Sequence, residues 1–253
     1  MNFQKYSAYY DLLYADKDYS AEAEYVARTL RTEKVEVHTL LELGSGTGRH
    51  GRLLAEMGFE VRGIERSSEM VSIARLATEE VPAPGAFTCD VGDLRSVRLG
   101  QTFDAVISLF HVISYQTGDD DLRAAFRTAS EHLDEGGLFL FDVWHGPAVV
   151  ANEPSVRTKE VTNARYRVKR VARPEWNASL GTVKVVYVLE CEDTETGERA
   201  RVHEEHLMRY LFPAEIEKFA REAGLTLIGT EEFLTGRTPS EDTWGVAYLV
   251  RKK

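Results

Sequence analysis

Residues 41–49 read Leu-Glu-Leu-Gly-Ser-Gly-Thr-Gly-Arg, and this stretch decides the fold class. The buried strand Thr39–Leu43 runs into alternating glycines, and a helix over Arg49–Met57 follows until Gly58. Glycines at such a strand-to-helix turn permit the tight bend and let backbone N–H groups approach a ligand. The stretch therefore predicts a ligand-binding turn at the carboxyl end of a parallel strand.

Strands and helices alternate outward from this turn as far as Val143. The predicted strands are Phe59–Ile64, Ala86–Cys89, Phe103–Leu109 and Leu138–Val143. The predicted helices are Ser67/Ser68 to Ala77 and Asp119–Leu133. This alternation predicts a parallel sheet that is covered by helices on both faces.

The hydrophobic period changes to two from about Thr158 to Phe212. The predicted strands there are Arg165–Val171, Thr182–Glu190 and Arg201–Phe212, and we expect them to form an inserted antiparallel sheet. A helix over Pro213–Ala223 has proline at its first position and Gly224 just past its end. The final predicted strands, Leu225–Phe233 and Trp244–Val250, close the chain.

The first 33 residues favour helix, with apolar positions near 3.6-residue spacing and an interruption at residues 15–19. Ser20 is the predicted N-cap of the second helix. We expect one domain of the α/β class with a doubly wound, mostly parallel seven-stranded sheet. Its predicted parts are an N-terminal helical lid (1–33), a core (38–145), the inserted sheet (158–212) and a C-terminal helix with closing strands (213–253).

Composition excludes several classes of function. The chain has 253 residues and a net charge of −10, which argues against nucleic acid as a partner because phosphate contacts need a basic face. Its longest apolar runs fall far short of the ~20 residues that cross a bilayer. Residues 1–10 lack the features of a signal peptide, so we expect a cytoplasmic protein without membrane partners. Cys89 and Cys191 form no disulfide framework or zinc pattern.

Two acidic residues restrict the ligand of the glycine turn. Glu65 ends the second predicted strand, 21 residues after Gly44, which suits a carboxylate that binds both ribose hydroxyls. A G-x-G-x-x-G pattern fails when it is counted from Gly44 but fits when it is counted from Gly46, so that pattern alone decides little. Glu42 would disfavour a pyrophosphate and suits a ligand that carries an ammonium group.

Five stretches together resemble class I S-adenosylmethionine-dependent methyltransferases. They are Leu41–Arg49, Glu65, Cys89–Asp93, Phe103–Ile107 and Leu133–Phe139. The resemblance covers about residues 39–143 and implies a Rossmann-like methyltransferase fold with S-adenosylmethionine as cofactor. Independently of the resemblance, the cysteine and histidine spacings lead us to expect no metal.

The resemblance implies a role for each matching residue. The methionyl part of the cofactor would contact Glu42, Gly44, Ser45, Gly46, Gly48 and the carbonyl of Leu109. Glu65 would bind the ribose hydroxyls. The adenosine would lie beside Arg66 and Met70, with Asp90 on the adenine amino group and the backbone of Val91 next to it.

Both ends of the chain are similar to a narrower branch, the sugar N-methyltransferases. The similar parts are Tyr9–Tyr14, Asp18-Tyr19, the inserted sheet and His203–Phe212. Those enzymes act on the 3-amino group of nucleotide-linked deoxysugars. The resemblance implies a small-molecule acceptor, with a nucleotide-linked or glycan-precursor sugar methylated on an amino or hydroxyl group.

The segment Phe110–Tyr115 follows the fourth predicted strand and lies at the mouth of the crevice by topology. Tyr115 stands where the amino-sugar enzymes have a histidine, and a phenol with a pKa near 10 is a poor base. His111 is the only nearby side chain that titrates near pH 7. Either residue is a catalytic candidate, although His111 could pack at the cofactor edge and Tyr115 could only line the pocket.

The N-terminal tyrosines suggest a lid. Aromatic rings cover a sulfonium favourably through cation–π contacts, so Tyr10 and Tyr19 are predicted to cover the cofactor. Tyr14 is predicted to border the acceptor. For each of these tyrosines, ordinary core packing is the alternative.

His203-Glu-Glu-His206 invites a metal site, but strand alternation sends the two histidines to opposite faces. The same alternation puts Glu204 and His206 on one face with Met208 and Tyr210. That face is either an acceptor wall or a homodimer interface. Arg237 could bind a phosphate or carboxylate of the acceptor, or it could simply be solvated.

The sequence thus favours an S-adenosylmethionine-dependent methyltransferase of a small molecule. One alternative is a nicotinamide oxidoreductase, for which a catalytic Tyr-x-x-x-Lys pair is missing. Another alternative is a non-catalytic protein that binds the cofactor. The inserted sheet offers a surface for a possible homodimer.

Overall fold

A seven-stranded sheet surrounds the strand that leads into the glycine turn. The computed structural model describes residues 9–78 and 84–253. The strands are β1 (Thr39–Leu43), β2 (Glu60–Glu65), β3 (Ala86–Val91), β4 (Phe103–Ser108), β5 (Leu133–Trp144), β10 (Leu225–Glu232) and β11 (Gly245–Lys252). Their order is β10-β11-β5-β4-β1-β2-β3. Residues 40–43 of β1 are all buried, as expected for a central strand covered on both faces.

The sheet is parallel except at one edge. Strand β1 pairs in parallel with both β2 and β4. Strand β11 pairs antiparallel with β5 and with β10. The predicted doubly wound, mostly parallel α/β sheet is confirmed, and its topology brings the carboxyl ends of β1, β2, β4 and β5 to one edge.

Helices cover both faces of this sheet. They are α1 (Tyr19–Glu33), α2 (Arg49–Glu56), α3 (Ser68–Thr78), α4 (Asp119–Glu131), α5 (Gly146–Ala151) and α6 (Pro213–Glu222). One apolar core joins α1, α2 and α3 to the sheet through residues such as Leu30 and Leu54. The other core is rich in phenylalanine and includes Phe126, Phe141 and Phe219. None of the helices within the described ranges combines the length and the apolar character of a membrane-spanning helix.

The insertion is a four-stranded antiparallel sheet. Its strands are β6 (Arg157–Thr162), β7 (Tyr166–Asn177), β8 (Thr182–Asp193) and β9 (Arg199–Arg209), in that spatial order. Residues on β9 alternate between buried and exposed from Arg201 to Met208. The predicted inserted sheet is confirmed, and β6 is a further strand that the period-two reading did not separate.

Several predicted boundaries were wrong for local reasons. Helix α1 is capped by Asp18, whose Oδ1 accepts a hydrogen bond from Ala21 N at 2.9 Å, and not by Ser20. Strand β5 begins at Leu133 because the Gly136-Gly137 pair continues the strand. Helix α5 was not predicted. Residues 9–13 are helical, whereas the rest of the predicted lid up to residue 8, including Tyr6, lies outside the described residues.

Candidate functional site

The glycine turn has the backbone that its sequence predicted. Gly44, Gly46 and Gly48 have φ angles of 80°, 55° and 74°, which favour glycine. A Cβ on Gly44 would meet Val112 at 2.5 Å, and a Cβ on Gly48 would meet the Phe87 ring at 2.5 Å. A Cβ on Gly46 would meet nothing within 4 Å. The turn is therefore packed on two sides and open at Gly46, which forms a cradle that a side chain would fill.

Glu65 faces this cradle. Its Oε2 accepts a hydrogen bond from Gly46 N at 3.1 Å, and its Oε1 accepts one from Ser67 N at 2.8 Å. The carboxylate thus bridges the glycine turn and the residue before α3. This position at the end of β2 agrees with the predicted location of a ribose-binding acid.

Glu42 is a buried carboxyl group directly below the turn. The residue is 1% exposed. Within the described part of the chain its Oε2 accepts no well-formed hydrogen bond, although the backbone of Gly51 lies close. Burial, together with the nearby Glu65, raises the pKa of Glu42 to about 8. A buried carboxyl with an unused acceptor atom is suited to bind a cationic ligand group.

A charged network that the sequence analysis missed lies beside Glu42. Oε2 of the buried Glu22 is 2.7 Å from Lys17 Nζ and 2.7 Å from His50 Nε2. Lys17 Nζ also lies 3.8 Å from the Phe110 ring centroid and 4.4 Å from that of Tyr19. No spacing rule pairs these residues, because the contacts arise only when α1 packs on α2. The Lys17 ammonium group thus lies between a buried carboxylate and two aromatic rings.

The N-terminal residues cover the glycine turn. Asp11 accepts a hydrogen bond from Thr47 Oγ1 at 3.2 Å and lies 3.1 Å from Arg49 Nε. Leu13 is fully buried and packs against the inserted sheet, where its neighbours include Val168 and Leu189. The short helix of residues 9–13 thus connects the glycine turn to the inserted sheet.

The three tyrosines that were predicted for the lid and the acceptor border occupy different surroundings. Tyr19 is 8% exposed and its ring lies 5.0 Å from that of His50. The Tyr10 and Tyr14 rings lie 4.8 Å apart. Tyr14 contacts the Phe110 ring at 5.1 Å and accepts a hydrogen bond from Arg170 at 3.0 Å. Tyr14 therefore lies between the core and the inserted sheet, whereas Tyr19 lies beside the network of Glu22 and His50.

The side chain of Ser45 does not face the cradle. Its Oγ lies 3.3 Å from the sulfur of Cys89, and a Cβ on Gly63 would meet it at 2.7 Å. Burial raises the pKa of the Cys89 thiol to about 11. The Ser45 hydroxyl therefore packs under the turn onto the sheet, and only the backbone of this predicted residue is available to a ligand.

The predicted adenosine side of the site is partly as expected. Met70 is buried on α3, whereas Arg66 is exposed and Val91 is 57% exposed at the end of β3. Leu109 is 3% exposed and follows β4. Val91 pairs with Glu65 in the sheet register, so its backbone lies next to the acid.

Asp90, the predicted partner of the adenine amino group, lies in a cluster of ion pairs. Its carboxylate lies within β3 and binds Arg62 at 3.1 Å and Arg75 at 2.9 Å, so its oxygens already have cationic partners. Asp93, which the sequence analysis did not select, follows the end of β3. Hydrogen bonds from Arg95 contribute most to lowering the pKa of Asp93, and Arg66 adds to the effect. Asp93 is thus a second acid near this edge, and like Asp90 it already has a cationic partner, so the adenine contact of Asp90 stays a prediction.

Phe110 and His111 have unusual backbone angles. Their φ values are 63° and 61°, a left-handed conformation that is costly for residues other than glycine. His111 N lies 3.2 Å from both carboxylate oxygens of Asp142 and donates to them, and its Nδ1 lies 2.7 Å from Oδ2. Burial by itself raises the pKa of Asp142, but the contacts with His111 outweigh burial and lower that pKa. Asp142 therefore holds this strained segment as an anion.

Tyr115 and His206 meet across the crevice. The Tyr115 hydroxyl lies 2.7 Å from His206 Nδ1. Tyr115 keeps 41% of its surface exposed, yet its hydroxyl end is enclosed, and burial raises the pKa of this phenol. Burial, followed by the charge of Arg170, lowers the pKa of His206 to about 4. The pair is thus neutral near pH 7, and Tyr115 is a poor base in this environment.

The inner face of β9 has the predicted alternation. Glu204, His206 and Met208 are buried, whereas His203 and Glu205 are exposed. His203 and His206 therefore point to opposite faces. Burial raises the pKa of Glu204, which pairs in register with Tyr187 on β8.

Arg237 contacts its own loop. Its Nη2 is 2.5 Å from Glu232 Oε1, and its side chain is 72% exposed. It also donates to Thr235, and its role toward the acceptor stays a prediction.

Comparison with protein families places the glycine turn in a known domain. Residues 40–137 match the family described as "Methyltransferase domain". The match begins in β1 and ends within β5, so it includes the cradle, Glu65 and the His111 segment.

A curated relative comes from Streptomyces venezuelae and is named dTDP-3-amino-3,4,6-trideoxy-alpha-D-glucopyranose N,N-dimethyltransferase. The two sequences are 34% identical over 145 residues. The match covers 56% of this chain and 59% of the relative, so the chain spans about three fifths of the length of this enzyme.

Solved structures resemble the whole chain. DesVI from Streptomyces venezuelae has a TM-score of 0.83 at 26% identity, with 98% of each chain covered. CalS10 from Micromonospora echinaspora, an amino pentose methyltransferase solved with S-adenosylmethionine bound, has a TM-score of 0.75 at 25% identity, with 100% of this chain and 98% of that chain covered. The inserted sheet and the N-terminal segment are thus within the shared architecture.

Proposed function

We propose that this chain, whose residues 40–137 form a methyltransferase domain, transfers methyl groups from S-adenosylmethionine to the amino group of a nucleotide-linked sugar. Two similar proteins support an amino sugar as acceptor by their names. One is the dTDP-amino-sugar N,N-dimethyltransferase from Streptomyces venezuelae, and the other is the amino pentose methyltransferase CalS10. The nicotinamide oxidoreductase that the sequence left open has no support in the matched family or in these relatives.

One arrangement carries the proposal: an open glycine cradle lies between the buried carboxyl of Glu42 and the carboxylate of Glu65. The donor set fits the cofactor, because S-adenosylmethionine has an ammonium group for Glu42 and ribose hydroxyls for Glu65. The unused acceptor atom of Glu42 and the open side of Gly46 are the features that such a ligand would complete. When bound, the cofactor supplies a methyl group on a positively charged sulfur.

The remaining cofactor contacts follow from the surroundings of the cradle. The backbone of residues 44–48 and the carbonyl of Leu109 would bind the methionyl part. Met70, Arg66 and the backbone of Val91 would border the adenosine. Tyr10 and Tyr19 belong to the segment that covers the cradle, where they would exclude water and face positive charge.

The acceptor would lie between the core and the inserted sheet. Tyr14, Tyr115 and His206 border this space, and Tyr187 contacts the His206 ring at 5.0 Å. Arg170, which binds the Tyr14 hydroxyl, offers a guanidinium that suits phosphate oxygens of a nucleotide. A homodimer through the inserted sheet stays a prediction from the sequence.

Turnover on a panel of sugars tests this function. The purified chain is incubated with S-adenosylmethionine and dTDP-linked 3-amino, 4-amino and hydroxy sugars, and the products are analysed by mass spectrometry. We expect one or two added methyl groups on an amino sugar and none on its hydroxy counterpart. Methylation of hydroxy sugars alone, or tight cofactor binding with no turnover on any acceptor, would contradict the proposal.

A further inference from the structure

A histidine and an aspartate 31 residues apart in sequence form a close pair at the crevice. His111 Nδ1 lies 2.7 Å from Asp142 Oδ2, and the backbone N of His111 donates to the same carboxylate. The Asp142 side chain is 1% exposed, whereas the His111 side chain is 23% exposed. The Asp142 carboxylate thus accepts from the His111 backbone and lies at ion-pair distance from its ring, although Nδ1 has no well-formed hydrogen bond within the described residues.

The fold places this pair next to the cradle. His111 follows the carboxyl end of β4, and Asp142 lies near the carboxyl end of the neighbouring strand β5. The next residue, Val112, packs so closely on Gly44 that a Cβ there would meet it at 2.5 Å. His111 is therefore one residue away from direct contact with the glycine turn.

The ring has a second nitrogen, Nε2, besides the one that lies beside Asp142. Nδ1 is buried 2.7 Å from Asp142 Oδ2, and the His111 side chain as a whole is 23% exposed. Phe110 and Trp144 rings lie 5.9 and 6.3 Å from the imidazole. An imidazole with a buried carboxylate beside its Nδ1 is suited to act as a general base, because the carboxylate stabilises the imidazolium that forms.

We propose that Nε2 of His111 is the base that receives the proton of the acceptor amine, and that Asp142 is its positioning residue. The inference rests on the proposed methyltransferase function. The amine nitrogen forms the new bond to the methyl carbon, and the electron pair of the broken carbon–sulfur bond stays on sulfur. Nε2 takes one proton from the acceptor ammonium before this attack, so the methylated product leaves as an ammonium ion and the resulting imidazolium faces the Asp142 carboxylate.

This assignment also defines the acceptor class. An amine that arrives as an ammonium ion needs a base before it can attack, and a monomethylated product needs the same step again before a second transfer. His111 supplies that base on both occasions. A base at this position thus suits primary and secondary amines that are protonated near pH 7, which are the acceptors of the proposed function.

The other titratable groups near the crevice are less suited to this task. Tyr115 and His206 bind each other and are neutral near pH 7, as described above. Lys17 and His50 contribute to the field at Asp142, but both already bind Glu22. Among these titratable groups, His111 combines a buried carboxylate beside its ring with a partly exposed side chain.

Kinetics of His111→Gln test whether His111 acts as a base or only packs against its neighbours. We expect a fall in kcat of about 10²–10⁴-fold at pH 7, the range for loss of a general base, and loss of the acid limb of the pH–rate profile. His38→Gln, at an exposed site before β1, is the control and should keep both. Affinity for S-adenosylhomocysteine should stay within about threefold in both variants. A His111→Gln enzyme with a kcat within threefold of the parent would overturn the assignment.

Asp142 is tested by a spectroscopic readout that needs no turnover. In ¹⁵N-histidine-labelled protein without cofactor, His111 should carry its hydrogen on Nδ1, with the resonance assigned by its absence in His111→Gln. Asp142→Asn should change that tautomer population and lower kcat about 10–100-fold. An unchanged tautomer in Asp142→Asn would contradict the positioning role. If the parent protein neither binds S-adenosylhomocysteine nor methylates any amine, the proposed function fails instead.

Discussion

The carboxyl group of Glu42 is 1% exposed, and burial raises its pKa to about 8 from an ordinary value of 4.5. The folded protein therefore binds one more proton than the unfolded chain between those two values. Stability from this group falls as the pH rises through that window. The ionised Glu42 therefore destabilises the ligand-free protein, and a bound cation would offset this destabilisation.

Glu42→Gln should therefore stabilise the protein and weaken cofactor binding together. The amide resembles the protonated acid, so we expect no gain in the free energy of unfolding near pH 4 and a gain on the order of 2–4 kcal/mol at pH 9. Urea unfolding at both pH values measures this difference. The exposed Glu24→Gln on α1 is the control and should show no such pH dependence.

Cofactor affinity of Glu42→Gln is measured in the same preparation. We expect a loss of at least tenfold in affinity for S-adenosylhomocysteine at pH 9, because the amide removes a charge-assisted bond. A variant that binds as tightly as the parent would show that Glu42 does not meet the ammonium group.

At the residue scale, spacing identified Glu65 and the three glycines because a strand-to-helix turn fixes their positions in sequence. Spacing could not identify the pairing of His111 with Asp142, which depends on two neighbouring strands. The resemblance assigned Ser45 and Asp90 to the cofactor, and it could not show that the Ser45 hydroxyl lies beside Cys89 or that the Asp90 carboxylate binds two arginines. Sequence periodicity does not predict which side chains from distant elements will contact each other.

The glycine turn allows a matched test at the scale of one element. Gly46 and Gly100 have φ angles of 55° and 67°, and a Cβ on either would meet nothing within 4 Å. Alanine at either position should cost about 1–2 kcal/mol in the left-handed conformation. Only Gly46→Ala places its methyl group in the proposed cofactor cradle.

We therefore expect Gly46→Ala to weaken binding of S-adenosylhomocysteine by at least tenfold, and Gly100→Ala to leave it within twofold. Isothermal titration calorimetry measures the affinities, and urea unfolding checks that both variants lose similar stability. Equal affinities in the two variants would mean that the ligand does not approach Gly46.

The elements themselves were largely predictable. The core strands and α6 follow hydrophobic period and capping signals, so their predicted bounds differ from the structure by a few residues. Strand β6 was not predicted, because only two of its residues are partly buried and its alternation of buried and exposed positions is therefore weak. Helix α5 is six residues long, too short for a 3.6-residue period to show.

The short N-terminal helix connects the glycine turn to the inserted sheet. Residues 9–13 contact the glycine turn through Asp11 and the inserted sheet through Leu13. Cofactor binding at the turn should therefore slow amide exchange beyond the turn itself.

Hydrogen–deuterium exchange with and without S-adenosylhomocysteine tests this connection. We expect increased protection at residues 9–18 as well as 44–48, with α4 unchanged as an internal reference. Protection confined to residues 44–48 would show that the N-terminal segment does not close over the cofactor.

The central claim is that an adenosyl cofactor binds between the glycine turn and Glu65. Calorimetric titration of the parent protein and of Glu65→Ala with S-adenosylhomocysteine, and with NAD as a competitor, measures this directly. We expect the parent to bind S-adenosylhomocysteine and not NAD, and Glu65→Ala to lose about 1.5–3 kcal/mol, roughly 10- to 150-fold in affinity. Binding of NAD alone, or an affinity that stays within twofold in Glu65→Ala, would contradict the account.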